Sequence, residues 1–205
     1  TEIKFAAPAS GSIRLIVKEK TCGGDVLLAN NNTLVLGIGN SLLSDEGVGV
    51  RMLAYLQGNY PDLPHVESLD GGTLSFTLAA WIEEADNLVV IDAAQLDSAP
   101  GTVQVFEGGE MDGFAGRTKR SVHEVSLGDL LAIAHLTDTI PQQRALVAIQ
   151  PAHVDWGSRL SDAVERALPV AAGKVADLVL RWATVADSAV STSGISRTDN
   201  QQTGV

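Results

Sequence analysis

L-V-L-G-I-G-N-S-L-L-S-D-E-G-V-G-V-R, residues 34–51, decides the fold. Leu34, Val35 and Leu36 form a short apolar run of the kind that makes a buried strand. Gly37-Ile38-Gly39-Asn40 reads as a tight turn. Asp45 and Glu46 then stand side by side at the start of a helical pattern over residues 45–57, with Val48, Met52, Leu53 and Leu56 on one face. Strand, glycine turn and acidic helix start together put carboxylate oxygens at the carboxyl edge of a sheet. That edge is where open α/β proteins hold their ligands.

The alternation continues outward from this stretch. A second strand spans about residues 65–69 and closes in Asp70-Gly71-Gly72-Thr73, followed by a helix over 74–84. A third strand, 87–91, ends at Asp92, and a fourth covers 101–106. The link between these two is too short for a helical crossover, since parallel neighbours need a dozen or more residues between them. The fourth strand is therefore expected to run antiparallel, at one side of a mixed sheet. A helix over 126–136, a fifth strand over 144–149 and a long helix from Leu160 to about Trp182 complete the pattern, with a kink expected at Pro169. Residues 33–185 read as a single α/β domain. Residues 1–32 read as an extension containing a short strand near 13–17. Residues 186–205, rich in Ser, Thr, Gly, Asn and Gln, read as a disordered polar tail.

Composition narrows the function classes. The chain has 205 residues, is 45% hydrophobic and carries a formal net charge of −11, which fits one domain with a substantial core. That acidity argues against nucleic-acid partners, which need a basic patch, and against anionic membrane surfaces. The single cysteine, Cys22, allows neither an internal disulfide nor a cysteine-based zinc site, and a reducing compartment fits. No apolar run has transmembrane length, and the first residues lack a charged and then hydrophobic leader pattern. A cytoplasmic location is the expectation.

Three residues fall at strand ends or in post-strand loops. Glu46 follows the first strand, Asp92 ends the third, and His123 precedes the helix over 126–136. If the second strand sits outside the first, the first and third strands are neighbours and Glu46 and Asp92 converge. One imidazole and two carboxylates make an open site for a divalent first-row metal, with positions left for water or substrate. Each residue also has a plainer reading. Glu46 complements a helix dipole, Asp92 is a turn former and His123 is a loop residue before a helix. Taken singly each residue favours its plainer reading; their joint placement at one edge raises the functional one. Gly37-Ile38-Gly39 invites a dinucleotide reading, but Leu42 occupies the place of the third glycine and Asp45-Glu46 would repel a pyrophosphate. No G-K-[ST] phosphate loop and no G-x-S-x-G serine elbow occur. Asp70-Gly71-Gly72-Thr73 is read as a sharp turn, or as a backbone amide surface for an extended peptide.

The ordered set of motifs resembles the hydrogenase maturation endopeptidases, which trim the large subunit of NiFe hydrogenases. It comprises G-I-G-N-S-L-L-S-D-E-G-V-G-V-R (37–51), D-G-G-T (70–73), V-V-I-D-A (89–93), A-P-G-T (99–102) and S-V-H-E (121–124). Gln150-Pro151, Trp156-Gly157 and Leu160-Ser161 add to it, so the resemblance covers about residues 33–182. It implies a three-layer α/β/α sandwich around a five-stranded mixed sheet, in agreement with the antiparallel fourth strand. It implies that Glu46, Asp92 and His123 bind nickel and serve catalysis. The nickel is that of the substrate, a NiFe hydrogenase large-subunit precursor already loaded with metal, and other divalent metals are expected to occupy the site in vitro. The implied cut follows a C-terminal Cys-x-x-Cys-x-x-His/Arg type motif and releases a short peptide. Metal polarisation of the scissile carbonyl and general-base action by Glu46 or Asp92 both remain open. The family is sometimes grouped with the aspartyl proteases, although no paired D-T-G motif of the pepsin kind is present. The stretch before Thr33 is longer than in a typical member, and the tail after Ala186 has no counterpart. The rival readings are a spore-type α/β metallopeptidase indifferent to nickel, and a nickel-binding chaperone or adaptor without hydrolytic activity.

Overall fold

A computed structural model describes residues 2–6, 14–18, 32–117 and 125–193. In chain order the elements are β1 (Glu2–Ala6), β2 (Arg14–Lys18), β3 (Thr33–Ile38), a 3-10 turn (Ser44–Gly47), α1 (Val48–Asn59), β4 (Val66–Gly72), α2 (Leu78–Glu84), β5 (Asn87–Ala93), β6 (Val103–Glu107), α3 (Gly109–Arg117), α4 (Leu127–Leu136), β7 (Gln143–Ile149) and α5 (Asp162–Ser193). β1 and β2 pair antiparallel in a separate two-stranded sheet. The other five strands form one sheet in the order β4-β3-β5-β7-β6. Neighbours are parallel except β6, which runs antiparallel to β7 at the edge.

The central strands are apolar on both faces because helices cover both faces. Val35, Val89, Ile91, Val147 and Ile149 pack with Val48, Met52 and Leu56 of α1 and with Val164, Val175 and Val179 of α5. The alternate residues Leu34, Leu36, Leu88, Val90 and Leu146 pack with Ile82 of α2, Met111 of α3 and Leu130 of α4. Strand alternation thus sorts one sequence into two cores and yields the α/β/α sandwich. Among the described residues no helix is long and apolar enough to cross a membrane.

Several expectations are corrected in detail. Residues 109–117 form α3, where no helix was expected. Gly109, Gly113 and Gly116 depress helix propensity there, and tertiary contacts overrule it. Met111 and Ala115 are buried. Asp112 accepts from Arg144 at the start of β7 through Nε (2.9 Å) and Nη2 (2.5 Å). The helix expected from residue 74 begins at Leu78, after Leu74 takes a left-handed φ of 64°. The last helix runs to Ser193, past the boundary drawn for the tail at residue 186. Extending a helix already nucleated costs far less than starting one, so polar residues continue it. Residues 194–205 lie outside the described residues, as does Cys22.

The Arg144 pairing, with desolvation opposing it and His135 adding to it, holds the Asp112 carboxyl below the usual carboxylate range. A depressed folded pKa stabilises the protein above the unfolded value of about 4, and that contribution is lost as pH falls through the folded value. Asp112→Ala is expected to lower unfolding free energy by about 1.5–3 kcal/mol at pH 7. Urea denaturation at pH 7 and again near pH 3 checks this: the gap between variant and parent narrows at the lower pH. An equal gap at both contradicts the assignment.

Candidate active site

The turn that carries Glu46 is pressed onto the ends of two strands. Register places Gly37 of β3 opposite Ile91 of β5, so the residues that follow, Ile38 and Asp92, lie side by side at the carboxyl edge. Gly49, at the start of α1, lies so close to this edge that a Cβ there would overlap the carbonyl oxygens of both Ile38 and Ile91. Gly39, with φ of 134°, likewise leaves no room for a Cβ, because the Glu46 carbonyl fills the space. The glycine that hinted at a dinucleotide site therefore serves the close approach of the Glu46 turn.

Glu46 is half-buried on this turn, and Asp92 is half-buried at the end of a fully buried run. Asp92 keeps the parity of Leu88 and Val90, so its side chain leaves the sheet on the face covered by α2, α3 and α4. α4 leads into β7, which runs parallel to β5, so α4 begins on the carboxyl side of the sheet. A capping box fixes that beginning. Ser126 Oγ accepts from Asp129 N (3.2 Å), and Ser126 N donates to Asp129 Oδ2 (3.1 Å). His123 stands three residues ahead of this cap and lies outside the described residues. Glu46 and Asp92 are thus brought to neighbouring strand ends. Among the described residues, no three His, Cys, Asp or Glu side chains gather as a metal cluster.

The neighbouring Asp45 has a role the sequence did not disclose. Its side chain is fully buried. It accepts from Ala152 N (2.8 Å), His153 N (3.4 Å), Ser161 N (2.6 Å) and Ser161 Oγ (2.8 Å). Burial alone would raise its pKa. The hydrogen bonds from Ser161, Ala152 and His153 outweigh that and hold the carboxyl below its ordinary value. Around it, Ser44 N donates to Gly157 O (2.7 Å), Gly157 N to Leu42 O (2.9 Å), and Ser44 Oγ to Asp155 O (2.7 Å). The Arg51 guanidinium reaches Ser158 O. The 3-10 turn and the loop between β7 and α5 are therefore one bonded unit.

Gln150, also buried, ties the loop that follows Asp92. Its Oε1 accepts from Leu96 N (2.7 Å), and its Nε2 donates to Gln95 Oε1 (3.2 Å). On the other side of the site, Asp70 Oδ1 accepts from Gly72 N (2.9 Å), and Gly72 sits at φ of 50° with its carbonyl bonded to Gly39 N. Asp70, Gly71 and Gly72 are accordingly the last residues of β4 and not the sharp turn expected; Asp70 and Gly72 pair with Gly37 and Ile38 of β3, with a register shift at Gly71.

Comparison with known proteins places this arrangement. Residues 50–178 match the model of the HycI hydrogenase maturation protease family. The chain belongs to the hydrogenase maturation protease family. The hydrogenase expression/formation protein HoxM of Cupriavidus necator is 37% identical over 150 residues, 73% of this chain and 74% of its own. The hydrogenase maturating endopeptidase HybD from Escherichia coli has a similar structure, with a TM-score of 0.64 and 34% identity over 70% of this chain and 89% of that one. The NiFe hydrogenase maturation protease HybD from Thermococcus kodakarensis aligns with a TM-score of 0.57 and 25% identity, over 72% and 99%.

Within this protease the family match spans Asp92 and His123 and begins at residue 50, just past Glu46. The five-stranded mixed sheet agrees with the fold of these solved relatives. The signal that could have singled out Asp45 is weak: two adjacent carboxylates at a helix start, of which one turns inward. Its partners are distant in sequence, so no local pattern marks them.

The close approach at Gly49 yields a direct test. Gly49→Ala forces backbone apart and is expected to cost about 1–3 kcal/mol or more. Gly58→Ala, in the same helix with open space around it, is expected to be neutral or slightly stabilising. Urea denaturation of both variants checks the contrast, and equal midpoints would contradict the packing described.

Proposed function

We propose that this protease removes the C-terminal peptide of a NiFe hydrogenase large-subunit precursor after nickel insertion, during hydrogenase maturation. The observation that carries the reading is the pair of half-buried carboxylates, Asp92 at the carboxyl edge of β5 and Glu46 on the turn seated against the ends of β3 and β5. His123, just ahead of that helix, supplies the imidazole. Two carboxylates and one imidazole are hard-to-borderline donors suited to a divalent first-row metal, and three ligands leave positions for substrate.

In this reading the nickel belongs to the substrate. Glu46, Asp92 and His123 grip it from the protease side, so a precursor without nickel docks poorly and is spared. Cleavage is thereby coupled to completed metal loading. Hydrolysis then draws on one of two routes: Glu46 or Asp92 takes a proton from the attacking water, or the substrate's nickel polarises the scissile carbonyl. The compartment of this reading is the cytoplasm.

Intact mass of the precursor, incubated with and without prior nickel loading, reads the reaction. The parent enzyme is expected to shorten only the loaded form. Glu46→Gln, Asp92→Asn and His123→Ala are each expected to slow cleavage by about 100-fold or more, as losses of groups acting at the reacting centre do. Normal shortening by His123→Ala removes it from the site. Equal shortening of loaded and unloaded precursor refutes nickel recognition, and a loaded precursor that never shortens points to a carrier without hydrolysis.

A further inference from the structure

We propose that Asp45 is a positioning residue for Glu46. Its buried carboxylate locks the turn that carries Glu46 to the loop between β7 and α5, and so fixes where the Glu46 side chain leaves the backbone. This rests on the reading of Glu46 given above and adds a residue that touches neither substrate nor metal.

Three features of the turn support it. First, the anchors are directional. Asp45 takes hydrogen bonds from the backbone of Ala152, His153 and Ser161 and from the Ser161 hydroxyl, so both carboxylate oxygens are committed. Bonds from a charged acceptor to several donors of fixed position define an orientation that hydrophobic packing would not. Second, the turn is strained. Ser44 sits at φ of 49°, in the left-handed region that a residue with a Cβ avoids. Ser44 N bonds to Gly157 O and Ser44 Oγ to Asp155 O, so the conformation is held by the same loop that Asp45 grips. Third, neither neighbouring residue gives the turn freedom to relax. A Cβ at Gly47 would crowd Ser41 Cα at 2.7 Å, and Gly39 is closed by the Glu46 carbonyl itself.

The consequence is mechanical. Asp45 and Glu46 are adjacent on one short turn: Asp45 is fully buried and pinned, while Glu46 is half-buried. Rotation of the turn that moved Glu46 would have to break the Asp45 bonds together. A 3-10 turn of four residues has too few internal hydrogen bonds to hold itself so firmly. Ser161, at the entrance to α5, closes the clamp from the far side, and Val164 N is within 3.4 Å of its hydroxyl.

The test measures kcat and KM for shortening of nickel-loaded precursor by Asp45→Asn, Ser161→Ala, Ser161→Thr and Glu46→Gln, well below each variant's unfolding midpoint. Asp45→Asn is expected to lower kcat about 10- to 100-fold with KM within about threefold, because a displacement of about 1 Å at a reacting group has effects of that order. Ser161→Ala removes one donor and is expected to lower kcat about three- to tenfold, with Ser161→Thr restoring it through its hydroxyl. A purely structural role would shift the urea midpoint and leave kcat of the folded enzyme unchanged, and that result overturns the proposal. Should Asp45→Asn fail to fold, the Ser161 pair decides: unchanged kcat in Ser161→Ala, or no recovery in Ser161→Thr, overturns it equally. Glu46→Gln separates the two claims. Normal cleavage there sinks the reading of Glu46 itself. An inactive Glu46→Gln beside a normal Asp45→Asn sinks only the positioning role.

Discussion

The close approach of the α1 N-terminus to the ends of β3 and β5 is the constraint on which the rest depends. Only a glycine at position 49 lets the helix start touch the carbonyls of Ile38 and Ile91 at once. Those carbonyls belong to parallel neighbours in register, so contact with both fixes the turn across the seam between the strands. Everything chemical at the edge follows from this seating. Glu46 rides on the turn, and Asp92 is the residue after Ile91. Moving α1 outward by even the radius of a methyl group would lift the Glu46 turn off the strand ends, since the Glu46 carbonyl packs against Gly39 and Gly49 against Ile38 and Ile91.

A second constraint on the turn comes from hydrogen bonds and not from close packing. The loop between β7 and α5 crosses the same edge and is stitched to the turn through Asp45, Ser44 and Leu42. The sheet fixes where the turn sits, and the loop adds directional hydrogen bonds to it. Sites need both, because a reacting group must be held to a fraction of an ångström and to within tens of degrees. The interior Asp45 carboxylate is costly to desolvate, but its four hydrogen bonds outweigh that cost, so the same contacts that orient the turn also favour the folded state.

Much of the fold was legible in the sequence. The β/α alternation from residue 33 onward announced the sheet. The short link between Asp92 and residue 101 announced the antiparallel strand, since chain length alone forbids a crossover there. α3 was not legible, because Gly109, Gly113 and Gly116 speak against a helix while Arg144, far along the chain, speaks for one. The extension of α5 was hidden by polar composition, which does not by itself end a helix. At the site, Glu46 and Asp92 stood out because strand ends are local features. Asp45 did not, since its partners lie more than a hundred residues away and a buried acid looks like an exposed one in sequence. Gly39 and Gly49 carried real information, but their purpose appears only once the backbones they admit are in place.

The central claim is that Glu46, Asp92 and His123 meet around one nickel ion. Anomalous diffraction at the nickel absorption edge, from crystals of the protease soaked in nickel, tests it most directly. The account predicts a single strong peak bonded by the two carboxylates and the imidazole. A peak held by other residues, or none at this edge of the sheet, contradicts it.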